Sequence, residues 1–242
     1  MISHYIDTIK KLLDTVETQE KDSMKKAAFY MAETIKNDGI IHLFGCGHSH
    51  ILTEEVYYRA GGLVPIHPIL HEPLMLHEGA VKSSQLERKE EYAKTFMAEQ
   101  DIRENDVLFV ISTSGRNPVP IDVALSGQEK GAKVIGITSR DYSSSQPSRH
   151  PSGMHLYDAV NLVLDNHSPP GDAIMSHKKV DEKFSPGSTV IGAVILNSII
   201  SESIALLAEE EHYPPIFLSG NIDGADSHNN KLVAKYRDRV KL

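Results

Sequence analysis

The stretch that most constrains this chain is Val107 to Pro118, V-L-F-V-I-S-T-S-G-R-N-P. An apolar run stops abruptly at Ser112, Thr113, Ser114 and Gly115, and Asn117 precedes a helix-compatible segment, Val119 to Lys130. This is the pattern of a buried parallel strand feeding a hydroxyl-rich turn and then a helix start. Such a turn gathers backbone N–H groups, hydroxyls and the positive end of a helix dipole at one point, which suits a phosphate group.

The flanking segments read as a sheet that presents this turn. Ile2, Tyr5, Ile6, Ile9, Leu12, Leu13 and Val16 recur at helical spacing, and Met24, Ala27, Ala28, Met31, Ala32 and Ile35 repeat the pattern after a polar interruption. Two helices, or one bent helix, therefore precede the stop signal Asn37-Asp38-Gly39. Ile40 to Phe44 is a strand ending in Gly45-Cys46-Gly47-His48-Ser49, with a helix expected from there to Arg59. Leu63 to His67 is a second strand, and Gln85 to Gln100 reads as a charged, exposed helix. After the opening strand and its helix come a strand from Lys133 to Thr138, a polar loop from Ser139 to Met154, and a strand from Ala159 to Leu164. A second long loop, Asp165 to Ser185, leads into a strong helix, Pro186 to Glu211. Ile216 to Leu218 is a short apolar run, and the tail from Asn230 is basic with a helical pattern. Alternation of strands and helices predicts an α/β fold with a mostly parallel, doubly wound sheet.

Length places all of this in one domain over 1–242, with a helical extension at 1–37, a core at 38–211 and a C-terminal segment at 212–242. A net charge of −8 argues against nucleic acid or an anionic membrane surface as a partner, but not against a phosphorylated small molecule held by loops and helix ends. The single cysteine, Cys46, excludes an internal disulfide framework and fits a reducing cytoplasm. Its place in a tight turn reads as a small buried residue rather than a nucleophile. No apolar run is expected to reach the roughly 20 residues that span a bilayer. Met1 to Tyr5 lacks the basic start and apolar middle of a signal peptide.

The first glycine loop is not a dinucleotide fingerprint. His50 stands where its third glycine belongs, and His67-Pro68 occupies the place of the acidic residue that ends the next strand. No Gly-Lys-Ser/Thr of a Walker loop occurs. Ser49 is left at a helix start, as an ordinary N-cap or as a ligand contact. The second loop favours the ligand reading, because two glycine–hydroxyl turns lying side by side would meet at the switch point of an open sheet.

At this point the pairing of F-G-C-G-H-S with V-I-S-T-S-G-R-N-P, followed by V-I-G-I-T-S, resembles the SIS (sugar isomerase) phosphosugar-binding domain. Within that superfamily the chain looks most like a bacterial group named after phosphoheptose isomerase. The resemblance covers roughly residues 1–210. It implies a three-layer α/β/α sandwich with a five-stranded, mainly parallel sheet. It also implies a homodimer or homotetramer with the site near the subunit interface, and a phosphorylated sugar as ligand. By the resemblance, Ser49 contacts the sugar or its phosphate, while Ser112, Thr113, Ser114 and Asn117 hold the phosphate. Two departures stand out: Arg59 occupies the position of the catalytic glutamate of phosphoheptose isomerases, and Gly187 to Glu211 contains no counterpart of their histidine.

Isomerisation needs groups that move a proton between neighbouring carbons and oxygens, and glutamate and histidine serve best. The candidates are Glu54 and Glu55 on the helix after Ser49, the His67–Glu78 stretch, and the Asp165–Asp172 loop with Asn166, His167 and Asp172. From these Glu55, His71 and His167 are taken as the acid–base residues. His67 and His71 have a zinc-like interval, but Pro68 between them opposes a helix, so neither a metal nor another cofactor is assigned. The expected function is binding and isomerisation of a sugar phosphate. Two alternatives are a lyase that removes a C3 substituent from an amino-sugar phosphate and a non-catalytic sugar-phosphate sensor. A nucleotide-binding flavodoxin-like domain is a fourth reading, for which the clamp after the second strand is missing.

Overall fold

A computed structural model describes residues 1–242. Helices α1 (Ile2–Gln19) and α2 (Lys21–Lys36) lead into β1 (Ile41–Gly45), a single 3-10 turn over Gly47–His50 and the short α3 (Ile51–Glu55). Next come β2 (Ile66–Pro68), α4 (Ala80–Glu87), α5 (Lys94–Met97), β3 (Val107–Ile111), α6 (Pro118–Glu129) and β4 (Lys133–Thr138). The chain continues through α7 (Arg140–Ser144), β5 (Leu162–Asp165), a hairpin of β6 (Ala173–His177) and β7 (Val180–Pro186), α8 (Ser188–Glu209) and α9 (Ala225–Tyr236).

Strands β1 to β5 form one parallel sheet in the order β2-β1-β3-β4-β5, sandwiched by helices as the resemblance implies. The alternation within each strand sends residues to opposite layers. Ile41 and Leu43, Val107, Phe109 and Ile111, and Ile135 and Ile137 face the layer of α1, α2, α3 and α8. Phe44, Leu108, Val110 and Val134 face the layer of α5 and α6. The order reverses between β1 and β3, whose register aligns Gly45 with Ile111, so their loops leave the sheet side by side. That point is where ligands bind in open α/β sheets.

Several boundaries differ from the sequence reading. The helix after Ser49 stops at Glu55 and not at Arg59, because Tyr58 takes a left-handed φ of 44° and packs its ring 5.0 Å from that of Phe217. The helix read over 85–100 is two pieces. Glu91, at φ 59°, separates them, and Ala93, Phe96 and Met97 are buried against the sheet. The loop read over 165–185 contains the β6–β7 hairpin, which alternation could not reveal because β7 is mostly charged and exposed. Helix α9 begins at Ala225, five residues before the expected start, and β2 and β5 are shifted toward their C-terminal ends. Helix α8 spans 22 residues with a stretch of mean hydropathy 2.0, long and apolar enough to cross a bilayer by length and composition, contrary to the sequence reading. Here Ile191, Ile195, Ile199 and Leu207 are instead buried against the sheet and α2.

The N-terminal end of the sheet is closed by the C-terminal segment. Asp106, just before β3, is fully buried and accepts from Ile40 N at 2.7 Å, Arg103 N at 2.8 Å, His42 Nε2 at 3.1 Å and Arg239 Nη2 at 2.7 Å. Burial works to raise its pKa, but the donors of His42, Arg239, Ile40 and Arg103 together hold it well below the usual carboxylate range. Beside it, His67 lies edge-on to His42 with ring centroids 5.4 Å apart. Burial, reinforced by His42, depresses the His67 pKa to about 4. Removing one partner of a buried, hydrogen-bonded charge pair costs roughly 3–5 kcal/mol, which is the loss expected for Arg239→Ala in urea unfolding. His67 is neutral in the folded state down to about pH 4, whereas the unfolded chain protonates it near 6.5. Stability is therefore expected to fall as pH drops from about 6.5 toward 4, and His67→Gln should flatten that part of the Tm–pH curve. The Asp106 contribution is present above the unfolded value and fades as pH falls below it.

Candidate functional site

The loop after β3 is held by its carbonyls. Thr113 O accepts from Ser139 N at 3.0 Å, Ser114 O from Ser143 Oγ at 2.8 Å, Gly115 O from Leu156 N at 2.8 Å, and Arg116 O from Arg149 N at 2.8 Å. The amides are left over. The N–H groups of Thr113, Ser114, Arg116 and Asn117 have no partner within the protein, and Gly115 N reaches only Ser112 Oγ at 3.3 Å. Consecutive unpaired N–H groups around a left-handed residue form a concave nest for an anion. Gly115 provides the left-handed turn at φ 58°, and a Cβ there would lie 2.7 Å from both Ser143 Oγ and Thr138 Oγ1. Asn117 then opens α6, whose first turn holds Pro118 and Pro120 and whose N-terminal end points at the nest.

The loop after β1 lies against it. A Cβ on Gly45 would fall 2.6 Å from the carbonyl carbon of Ser49, so the 3-10 turn folds directly onto the strand end. Ser49 is half-buried and its backbone N–H donates to Cys46 O at 3.0 Å. Burial, with a smaller push from Glu87, raises the Cys46 thiol well above its usual value, so it stays protonated and inert.

Three side chains from other segments close the site. Asn166, buried at the end of β5, donates from Nδ2 to Thr113 Oγ1 at 3.1 Å. Arg149, from the loop after β4, donates from Nη1 to Asn117 Oδ1 at 2.9 Å. Glu87, the last residue of α4, lies near Asn117, Arg88 and Arg149. Burial raises the Glu87 pKa, and Asn117 and the two arginines offset part of that rise. For Arg149, burial and then the proximity of Arg116 and Arg88 lower the pKa. A positive rim thus surrounds the nest in a chain of net charge −8.

The five residues expected to hold a phosphate, Ser49, Ser112, Thr113, Ser114 and Asn117, fall on the two adjoining loops. The three acid–base candidates fall elsewhere. Glu55 pairs with Arg59 and lies 3.4 Å from Asn197 Nδ2 on α8. His71 stacks on Phe96 with centroids 4.4 Å apart and has its Nε2 3.0 Å from Tyr92 Oη; burial lowers its pKa. His167 leaves the same sheet end as the cradle, but its Nε2 lies 3.3 Å from Glu20 Oε1 on the opposite layer. Asp172 caps α8 through Gly187 N and Ser188 N at 3.2 and 2.9 Å. Sequence reasoning missed Glu87 and Arg149. Glu87 sat within a stretch read as an exposed helix and carried no signal, whereas Arg149 lay in a long polar loop leaving a strand end, which is itself a signal. No three His, Cys, Asp or Glu side chains converge as a metal site. Two cavities lie off the cradle. One of about 470 Å³ follows the outer edge of β2, between Glu54, His67, Glu72 and Gln100; another of about 350 Å³ lies between α1, α2 and α8.

Comparison with known proteins agrees with this fold. The model of the SIS domain matches residues 4–139. A UPF0309 protein of Halalkalibacterium halodurans is 61% identical over 242 residues, covering all of this chain and 97% of the relative. A UPF0309 protein of Listeria monocytogenes serotype 4b is 60% identical over 242 residues, covering all of this chain and 98% of the relative. Among solved structures, the phosphoheptose isomerase of Francisella tularensis superposes with a TM-score of 0.54 at 16% identity, over 84% of this chain and 96% of that one. That of Neisseria gonorrhoeae gives 0.53 at 16%, with the same coverage. At these identities the structural likeness is one of fold. Gly115→Ala places a side chain at a left-handed position with no room for it, and is expected to cost roughly 2 kcal/mol or more in chemical denaturation. A variant as stable as the parent would show that the turn does not need glycine.

Proposed function

The chain belongs to the SIS-domain family, and from that premise we propose that it binds a phosphorylated sugar in the cradle after β3 and isomerises it by proton transfer. The observation that carries this reading is the set of unpaired N–H groups of Thr113, Ser114, Arg116 and Asn117 around Gly115. A dianionic phosphate satisfies several such donors at once, with the α6 N-terminus and Arg149 adding charge. The hydroxyls of Ser112, Thr113, Ser114 and Ser49 and the Asn117 amide supply further bonds and orient the sugar. Anchoring one end of an open-chain sugar in a preformed site brings its carbonyl end to a defined place, which is how binding assists the reaction.

The same reading makes the protein cytoplasmic, in keeping with its one deeply buried thiol. It also makes it a homodimer or homotetramer. The outward face of α8, with Val190 and Val194 exposed at 40% and 39%, supports a partner subunit there. Glu55, His71 and His167 lie beside Arg59, Tyr92 and Glu20, away from the cradle, so this reading gives them no direct contact with the phosphate.

A thermal-shift screen of pentose, hexose and amino-sugar phosphates tests the reading. A ligand at 100 times its Kd is expected to stabilise the protein by about 2.7 kcal/mol, and Ser114→Ala should lose most of that shift. If no sugar phosphate shifts the parent protein, the proposal fails.

A further inference from the structure

We propose that Arg149 is the side chain that selects a doubly charged phosphate ester at the cradle, and that Asn117 positions it there. The inference rests on the phosphosugar reading above and deepens it by assigning the group that sets the charge of the ligand. A row of backbone N–H groups accepts any anion that fits, whether a carboxylate, a sulfate ester or a phosphate. Preference for two charges over one needs a fixed, uncompensated cation beside that row.

Arg149 meets that description. Two bonds tie it to the cradle: its backbone N donates to Arg116 O at 2.8 Å, and its Nη1 donates to Asn117 Oδ1 at 2.9 Å. Residues 116 and 117 also carry two of the unpaired N–H groups of the nest, so the guanidinium is anchored within a side chain's length of them. The bond to Asn117 is the one hydrogen bond the guanidinium makes inside the protein, which leaves four of its five N–H donors open. Asn117 is available to hold it for a local reason. An N-cap side chain accepts from the second or third N–H of its helix. In α6 the third residue is Pro120, which has no N–H, and Asn117 makes no side-chain cap bond. Its amide, buried at 8% exposure, turns its oxygen to Arg149 instead.

The distribution of charge points to the same place. Arg59, Arg103, Arg237 and Arg239 each lie within 4.0 Å of a carboxylate. Arg88, Arg116, Arg140 and Arg149 close no ion pair, in a chain where acidic residues outnumber lysine and arginine by 33 to 25. Three of these four lie at the C-terminal end of the sheet: Arg116 in the cradle loop, and Arg140 and Arg149 in the segment after β4. Burial, and then the charges of Arg116 and Arg88, work against the ionised form of Arg149. A dianion beside them relieves that repulsion and accepts from the guanidinium fork.

The test is isothermal titration calorimetry at about pH 8, where a phosphate monoester is a dianion. The ligands are the pentose, hexose and amino-sugar phosphates that shift the parent protein, each beside the sulfate ester of the same sugar, which keeps the shape and carries one charge fewer. The parent is expected to prefer the phosphate ester. Arg149→Gln should weaken the phosphate ester about 10–100-fold and the sulfate ester by less, so that the preference narrows. Arg149→Lys keeps the charge without the fork and should recover part of the preference. Arg149 is exposed and its backbone bond survives both substitutions, so both variants are expected to fold. Arg237→Gln removes the same charge at the opposite end of the fold and should change neither affinity. Asn117→Ala should cost less affinity in the Arg149→Gln background than in the parent, because the two residues act as a pair. An unchanged preference in Arg149→Gln overturns the inference, and so does an equal loss in Arg237→Gln. Equal costs of Asn117→Ala in both backgrounds overturn its positioning role. A parent protein that binds no sugar phosphate overturns the phosphosugar reading itself.

Discussion

The cradle depends on what happens to the carbonyls of residues 113–116. Each is bound by a group from the segment after β4: Ser139 N, Ser143 Oγ, Leu156 N and Arg149 N. With one side of the peptide chain so committed, the other side presents its amides in a row. Unpaired N–H groups are costly where water is excluded and tolerable where an anion or solvent reaches them. A loop built this way is an unsatisfied surface by construction, rigid because its acceptors are satisfied elsewhere. That combination is what preorganised anion binding requires.

The two ends of the sheet are organised oppositely. At the N-terminal end the buried Asp106 carboxylate is satisfied by donors from Ile40, His42, Arg103 and Arg239. The last residues of the chain close that end, with Phe217, Tyr236 and Val240 packing on Ile40 and Val64. At the C-terminal end the strands finish in turns whose polar groups point into a shared space. Outward from β1, Pro68 sits on the edge strand β2 where its missing N–H faces away from the sheet, since Ile69 N and Pro65 O both point toward β1. Stability is concentrated at one end, and binding capacity at the other.

Much of the fold was legible because the core strands are continuous apolar runs bounded by polar or glycine turn residues, and the helices beside them keep a helical period. Val107–Ile111 and Lys133–Thr138 are recovered within a residue for this reason. The β6–β7 hairpin was not legible, since Asp181, Glu182 and Lys183 leave β7 no apolar alternation to read. The split of α4 from α5 was hidden too, because Glu91 adopts a left-handed conformation for which glutamate carries no signal. Of the site, the cradle loop was visible through its hydroxyls and glycine. Glu87 was not, because a charged residue on a helix end looks the same whether it meets solvent or another loop; of Arg149 only the long loop that carries it was a signal.

The sequence by itself determined the parallel α/β sheet and the two turns at its switch point, since local composition and periodicity dictate strand, turn and helix start. Tertiary structure alone decided which ionisable groups reach those turns. Glu55, four residues before Arg59, is drawn to it within its own helix region, and His71 is captured by Tyr92 and Phe96. Glu87 arrives at the cradle only because α4 packs where the loops after β1 and β3 meet. Proton affinity and reach depend on burial and on neighbours distant in the chain, and neither quantity exists until the chain has folded.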